Sequence, residues 1–176
     1  MTSVLVVCTA NQCRSPMAEA LLRRRLPSLD VSSAGSLPGG RPASPGGVRA
    51  MATRGLVLDD HVSRTLDPEM IAEADLVLCM ARQHLREVVV ARPASMGKTF
   101  TLRELVRRGE AAGSASSFDE WLALVGAGRR AADLLGDDPN DDIADPIGGP
   151  DSGYERTAAQ LQDLIERLGR LLDPLV

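Results

Sequence analysis

Aromatic side chains are nearly missing from this sequence. One tryptophan, one tyrosine and two phenylalanines make up 2% of 176 residues, so the core has to be filled with aliphatic side chains and alanine, and an aromatic ligand platform has little to be made of. No apolar run approaches the length that crosses a bilayer, and no positively charged segment with an apolar stretch behind it reads as a leader. The expectation is a cytoplasmic protein with no membrane partner. A basic excess is missing too: 20 Lys and Arg stand against 24 Asp and Glu, for a formal charge of -4. Without a basic stripe interleaved with aromatics, no nucleic-acid surface is expected. Cysteine is sparse, and three of them suit a reducing compartment. The apolar content, 44%, supports one domain over residues 1–176 with a sizeable core and leaves no room for two.

What is present is concentrated near the start. Cys8-Thr9-Ala10-Asn11-Gln12-Cys13-Arg14-Ser15 places a cysteine and an arginine at the two ends of a five-residue connection. Such a loop is just long enough to wrap a tetrahedral dianion with inward backbone N–H groups. Arg14 closes the ring, because a planar guanidinium holds two oxygens at once. Ser15 sets a hydroxyl beside the sulfur. Ser3-Val4-Leu5-Val6-Val7 is an apolar, β-branched run of strand length, and the residues from Pro16 to Arg23 read as a helix with Ser15 as N-cap and Pro16 at its first position. Strand, loop and helix in that order add positive potential at Cys8, as a thiolate nucleophile requires. The spacing suits cleavage of a phosphate monoester through a thiophosphate intermediate.

The remaining chain alternates strands and helices. Leu37 to Gly47 holds three prolines and four glycines and is expected as an exposed loop; Val48 to Arg54 reads as a helix stopped at Gly55. Leu76 to Met80 reads as a strand, Arg82 to Ala91 as a helix ended before Pro93, and Lys98 to Thr101 as a fourth strand. Strands separated by helices imply a parallel sheet covered on both faces, with ligands at the carboxyl ends of its strands. Arg23-Arg24-Arg25 reads as a solvated helix face, Cys79 as core, and His84 as part of a polar helix face without a role. Asp137 to Asp142 lacks the glycine and terminal glutamate of a calcium loop and reads as a solvated acidic loop. Phe118 to Leu122 starts a helix within Arg107 to Asn140, and Phe118 and Trp121 are expected to pack on the core in preference to a pocket rim.

The loop, together with Asp145-Pro146, resembles the low-molecular-weight protein tyrosine phosphatase family, whose signature is C-x5-R-[S/T] after the first strand with an Asp-Pro pair carrying the general acid. Further matches are Ser32 to Gly35, Gly55 to Arg64, Ala74 to Met80 and Tyr154 to Leu172. The resemblance implies a three-layer α/β/α fold with a four-stranded parallel sheet and the phosphate-binding loop after the first strand. It also implies Cys8 as nucleophile, Arg14 as clamp, Ser15 as aid to thiophosphate breakdown, and Asp145 as acid and then base. Loop residues Thr9, Ala10, Asn11, Gln12 and Cys13 would bind the phosphate, with Ser33 and His61 as supports. Cys13 in such loops can also trap the oxidised nucleophile as a disulfide, alongside a plain packing role under the loop. No cofactor or metal is called for, and the partner implied is a phosphorylated protein met by a monomer or weak dimer.

Departures from the family bear on the substrate. Ala10 stands where glycine is usual, so its methyl is expected to crowd the loop. Ile147 follows Asp-Pro where an aromatic is common, the loop after Leu37 has no aromatic wall, and Arg107 to Asn140 is longer than usual, as a helical insertion. Polar Gln12 replaces the aliphatic residue of tyrosine-specific members, whereas phosphoarginine phosphatases of the family carry a threonine. Phosphotyrosine protein is the leading substrate and phosphoarginine protein the alternative. An arsenate reductase would require a resolving cysteine pair in a later loop, which Cys79 alone, inside a strand, does not supply, and a non-enzymatic phosphate binder has no use for Asp145.

Overall fold

The computed structural model describes residues 1–176. Four parallel strands, β1 (Ser3–Cys8), β2 (Asp30–Gly35), β3 (Leu76–Cys79) and β4 (Thr99–Thr101), lie side by side in the order β2-β1-β3-β4. β1 runs through the middle, opposite Asp30 to Gly35 on one side and Leu76 to Cys79 on the other. Its side chains alternate between two layers: Leu5 and Val7 face one, Val4, Val6 and Cys8 the other. Both faces are covered, which is why the strand reads as an unbroken apolar run.

The larger layer, on the Cys8 side, contains α1 (Arg14–Arg25), α2 (Pro45–Ala52), α5 (Leu102–Ala111), α6 (Phe118–Gly126) and α7 (Asp151–Leu172); α3 (Pro68–Glu73) and α4 (Arg82–Ala91) cover the opposite face. The arrangement is the expected three-layer α/β/α fold.

Several boundaries depart from the sequence expectation. α1 begins at Arg14, with Cys13 in the cap position and no side-chain cap, so Ser15 is already inside the helix and its hydroxyl is free for other work. α2 begins at Pro45, which buries Ala43, Ser44, Gly46 and Gly47 instead of leaving them in an exposed loop. The reason is close packing: a Cβ on Gly46 would stand 2.5 Å from the ring of Tyr154 on α7. Gly55, at φ +69°, turns the chain shortly after α2 ends. α3 escapes a periodicity reading because only Ile71 of its six residues is buried, although Asp67 caps it by accepting from the amides of Glu69 and Met70. The three arginines at the end of α1 lie on the solvated face expected for them, and each is also tied to a neighbour. Arg23 donates to the Val31 carbonyl, Arg24 to that of Arg54, and Arg25 forks onto Asp173 at 2.8 and 2.6 Å.

Phe118 and Trp121 lie in the core, with ring centroids 6.2 Å apart, and Trp121 covers Gly109 of α5. Beyond α6, Arg129 stacks 3.9 Å over the Phe100 ring, pairs with buried Glu104 at 2.8 Å and donates to the carbonyls of Met96 and Thr99. This cation fastens the segment after α6 to the β4 edge. Trp121→Ala removes one of the few large side chains of an aromatic-poor core, and a loss of about 3–5 kcal/mol of unfolding free energy is expected in a denaturant titration.

Candidate active site

Cys8 ends β1 and is buried; Thr9 to Cys13 form the loop, and Arg14 begins α1. The loop turns sharply at Asn11, whose φ is +52°; no other non-glycine residue of the chain has a positive φ. Asparagine tolerates that region better than most side chains. Ala10 is outside it, so its methyl meets no left-handed backbone strain. Gly35, opposite Cys8 in register, lies against the loop so closely that a Cβ there would stand 2.7 Å from both the Asn11 amide nitrogen and the Thr9 carbonyl oxygen.

The Asn11 side chain is a hydrogen-bond hub. Its Oδ1 accepts from the Arg64 amide at 2.8 Å, which fixes the amide orientation, and Nδ2 donates to Ser15 Oγ at 2.9 Å and Ser33 Oγ at 2.7 Å. Ser33 in turn donates to Glu19 Oε2 at 2.5 Å, and His61 Nε2 lies 2.6 Å from the Asn11 carbonyl oxygen. Because Ser15 Oγ accepts from Asn11, its own proton is available to Cys8 Sγ, 3.0 Å away. The structure thus brings Ser33 and His61 to the loop.

Arg14 is almost fully enclosed. Nη1 donates to the Ile143 carbonyl at 3.1 Å, while Nη2 donates to Thr9 Oγ1 at 3.2 Å and to Asp145 Oδ2 at 2.6 Å. Its Nε–H is buried with no partner in the protein. A buried cationic donor left unpaired is costly, and an anion on the loop offers the acceptor it lacks. Asp145 is brought over the loop from the segment before α7, with its side chain about one-third exposed at 36%. Ile143 N bonds to the Met80 carbonyl at 2.8 Å, joining that segment to the end of β3.

Asp141 corrects the expectation of a solvated acidic loop. It is 2% exposed and pairs with Arg82 at 3.0 Å and Arg107 at 2.7 Å, while Asp142 Oδ1 accepts from the Arg82 amide at 2.8 Å. The segment bearing Asp145 is therefore bolted to α4 and α5, and two cations satisfy the buried carboxylate. No sequence signal separates Asp141 from its acidic neighbours, because both partners arrive from distant helices.

His84 also departs from expectation. It is buried, with Nε2 2.9 Å from Thr9 Oγ1 and Nδ1 without a partner. Burial first, and then the charge of Arg14, push its pKa down to about 4, so the ring is neutral at physiological pH. The signal was available: His84 lies four residues before buried Val88 on one face of α4. Cys13 is buried beside the Ser44 hydroxyl, and burial pushes its thiol up to about 12. Cys79 lies in the opposite layer, its thiol likewise raised by burial, and all three cysteines are free thiols. At the rim, Leu37 is exposed beside the loop, its amide bonded to the Thr9 carbonyl at 2.9 Å, and Ile147 is exposed after Asp145-Pro146. Gln12 is half-buried in the loop. No group of three or more His, Cys, Asp or Glu side chains is arranged to hold a metal ion, and no helix is long and apolar enough to cross a membrane.

Comparison with known proteins agrees with this geometry. The family described as low molecular weight phosphotyrosine protein phosphatase matches residues 3–114. A probable low molecular weight protein-tyrosine-phosphatase, EpsP of Ralstonia solanacearum, is 41% identical over 104 residues, 58% of this chain and 72% of that protein. A protein-arginine-phosphatase of Bacillus subtilis is 33% identical over 175 residues, 96% of this chain and 95% of that one. Among solved structures, the YwlE arginine phosphatase from Geobacillus stearothermophilus superposes with a TM-score of 0.75 at 33% identity, covering 98% of this chain and 94% of its own.

Gly35→Ala is expected to displace the loop backbone, so that inorganic phosphate raises the melting temperature of the unaltered chain but not that of the variant. A second expectation concerns acid. A histidine whose folded pKa of about 4 lies below its ordinary 6.5 contributes stability that is fully present above pH 6.5 and lost as pH falls toward 4. The loss amounts to about 3 kcal/mol. Denaturant titrations across that range should show a shallower decline for His84→Gln than for the unaltered chain.

Proposed function

The chain belongs to the low molecular weight phosphotyrosine protein phosphatase family, and from that premise we propose that it hydrolyses phosphotyrosine in proteins through a cysteinyl-phosphate intermediate. The observation that carries the reading is the enclosed Arg14, with its unpartnered Nε–H, at the end of a loop that begins with Cys8. In the proposed first step the Cys8 thiolate attacks phosphorus in line with the leaving phenolic oxygen. Loop amides and Arg14 hold the three equatorial oxygens, over which the charge of the transition state is spread, in the planar arrangement that in-line transfer requires. Asp145, as a carboxylic acid, delivers its proton to the leaving oxygen. The arriving dianion competes for the Arg14 Nη2 that otherwise holds Asp145, so substrate binding itself frees the acid.

In the second step a water attacks the thiophosphate, giving its proton to the Asp145 carboxylate, and the P–S bond breaks. The Ser15 hydroxyl, 3.0 Å from the sulfur, stabilises the departing thiolate. Thr9, Ala10, Asn11, Gln12 and Cys13 contribute the phosphate cradle, and Ser33 and His61 hold it through Asn11. Cys8 and Cys13 share this loop, and a protective disulfide between them on oxidation belongs to the same reading. We assign the whole chain to one catalytic domain acting in the cytoplasm as a monomer or weak dimer.

A second reading, phosphoarginine, is favoured by specific observations. The rim has aliphatic Leu37 and Ile147 in place of aromatic walls, Gln12 is polar, and the relative aligned almost end to end is a protein-arginine-phosphatase. The test is phosphate release from a phosphotyrosine and a phosphoarginine peptide under reducing conditions. Turnover of the first that vanishes in Cys8→Ser supports the leading reading; a preference for the second transfers the activity to phosphoarginine; turnover surviving Cys8→Ser sinks the mechanism. Asp145→Asn should lower kcat on an aryl phosphate by about 10²- to 10⁴-fold, the usual worth of a positioned general acid.

A further inference from the structure

Thr9 is one of three residues that hold the Arg14 guanidinium. Its two terminal nitrogens have three acceptors: the Ile143 carbonyl for Nη1, and Thr9 Oγ1 and Asp145 for Nη2. When a phosphate takes Nη2 from Asp145, Thr9 Oγ1 is the side-chain oxygen that remains to hold the guanidinium. Thr9 is only partly buried and its hydroxyl turns on a single bond, so it needs an anchor of its own. That anchor is His84, whose Nε2 lies 2.9 Å from the same oxygen and whose ring is enclosed near the start of α4.

The way His84 is buried indicates what the ring is for. An apolar side chain would fill the space without penalty, whereas this imidazole keeps Nδ1 buried and unpartnered, at the cost of an unmade hydrogen bond. Its one hydrogen bond is to Thr9. A neutral imidazole serves Thr9 as donor or as acceptor, and in either case the hydroxyl oxygen keeps a lone pair for Arg14. We propose that His84 is a positioning residue which, through Thr9 Oγ1, holds the Arg14 guanidinium with Nε and one terminal nitrogen facing the phosphate. The proposal deepens the phosphatase reading and rests on it for its kinetic consequence, but not for anion binding.

Thr9→Val and His84→Leu, each similar in size to the residue it replaces, test the link. Orthovanadate affinity, measured by calorimetry, and kcat on an aryl phosphate should each fall roughly tenfold, the worth of one hydrogen bond to a charged group. KM for the aryl phosphate should change less. The double variant should be no worse than the poorer single one, since both break one chain of contacts. Thr9→Ser and His84→Gln, which restore a hydroxyl and a group able to reach it, should recover both quantities. Should His84→Leu not fold, Thr9→Val with its Thr9→Ser rescue reads the same link. Folded variants that bind orthovanadate like the unaltered chain overturn the role of His84, as does a double variant whose loss is the sum of the two. Vanadate binding with the expected pattern but no aryl phosphate turnover counts against the phosphatase reading and leaves the role of His84 standing.

Discussion

The site depends on one residue holding an unfavourable backbone conformation. A loop that directs its amides inward must reverse its course within five residues, and here the reversal occurs at Asn11, with φ at +52°. Left-handed backbone costs a non-glycine residue free energy, and the Asn11 side chain offsets it with bonds to the Arg64 amide, Ser33 and Ser15. The same side chain that stabilises the turn orients the Ser15 hydroxyl toward Cys8. Loop shape and sulfur chemistry are therefore joined in a single amide. His61 and the Ser33–Glu19 pair extend the support outward, from the loop to β2 and α1.

Arg14 is the counterpart on the opposite rim. It is reached by three separate parts of the chain: the loop through Thr9, the Asp145 segment through Ile143 and Asp145, and α4 indirectly through His84. The Asp145 segment has little regular structure, and its position is set by Asp141 between Arg82 and Arg107 and by Asp142 at the start of α4. A buried carboxylate with two cationic partners is favourable only while both remain. This makes an irregular segment rigid at its root, while the exposed Asp145 carboxylate keeps the freedom to exchange its partner for solvent or substrate.

Legibility followed the range of the interactions. β1, the loop and α4 were readable because their signals are local: an apolar run, a Cys–Arg spacing, and a helix ended by proline. α3 is hidden from a periodicity reading because a six-residue helix with one buried side chain has no period, although Asp67-Pro68 marks its start. Ser15 fits a cap by local pattern, serine before proline, but the loop's demand on its hydroxyl overrides that preference. His84 reads as polar-face by residue type, whereas its spacing from Val88 puts it with the core.

By itself, the sequence determined the order of strand, anion loop and helix, the parallel α/β class and the identity of the groups at the ends of the loop, since each follows from neighbours along the chain. Only the tertiary structure decided what stands around them. It put Asp145 on Arg14 across 131 residues and His84 on Thr9 across 75, and buried Asp141 between arginines of two helices. These outcomes depend on which distant surfaces meet when the two helical layers close on the sheet, and no local preference encodes that meeting.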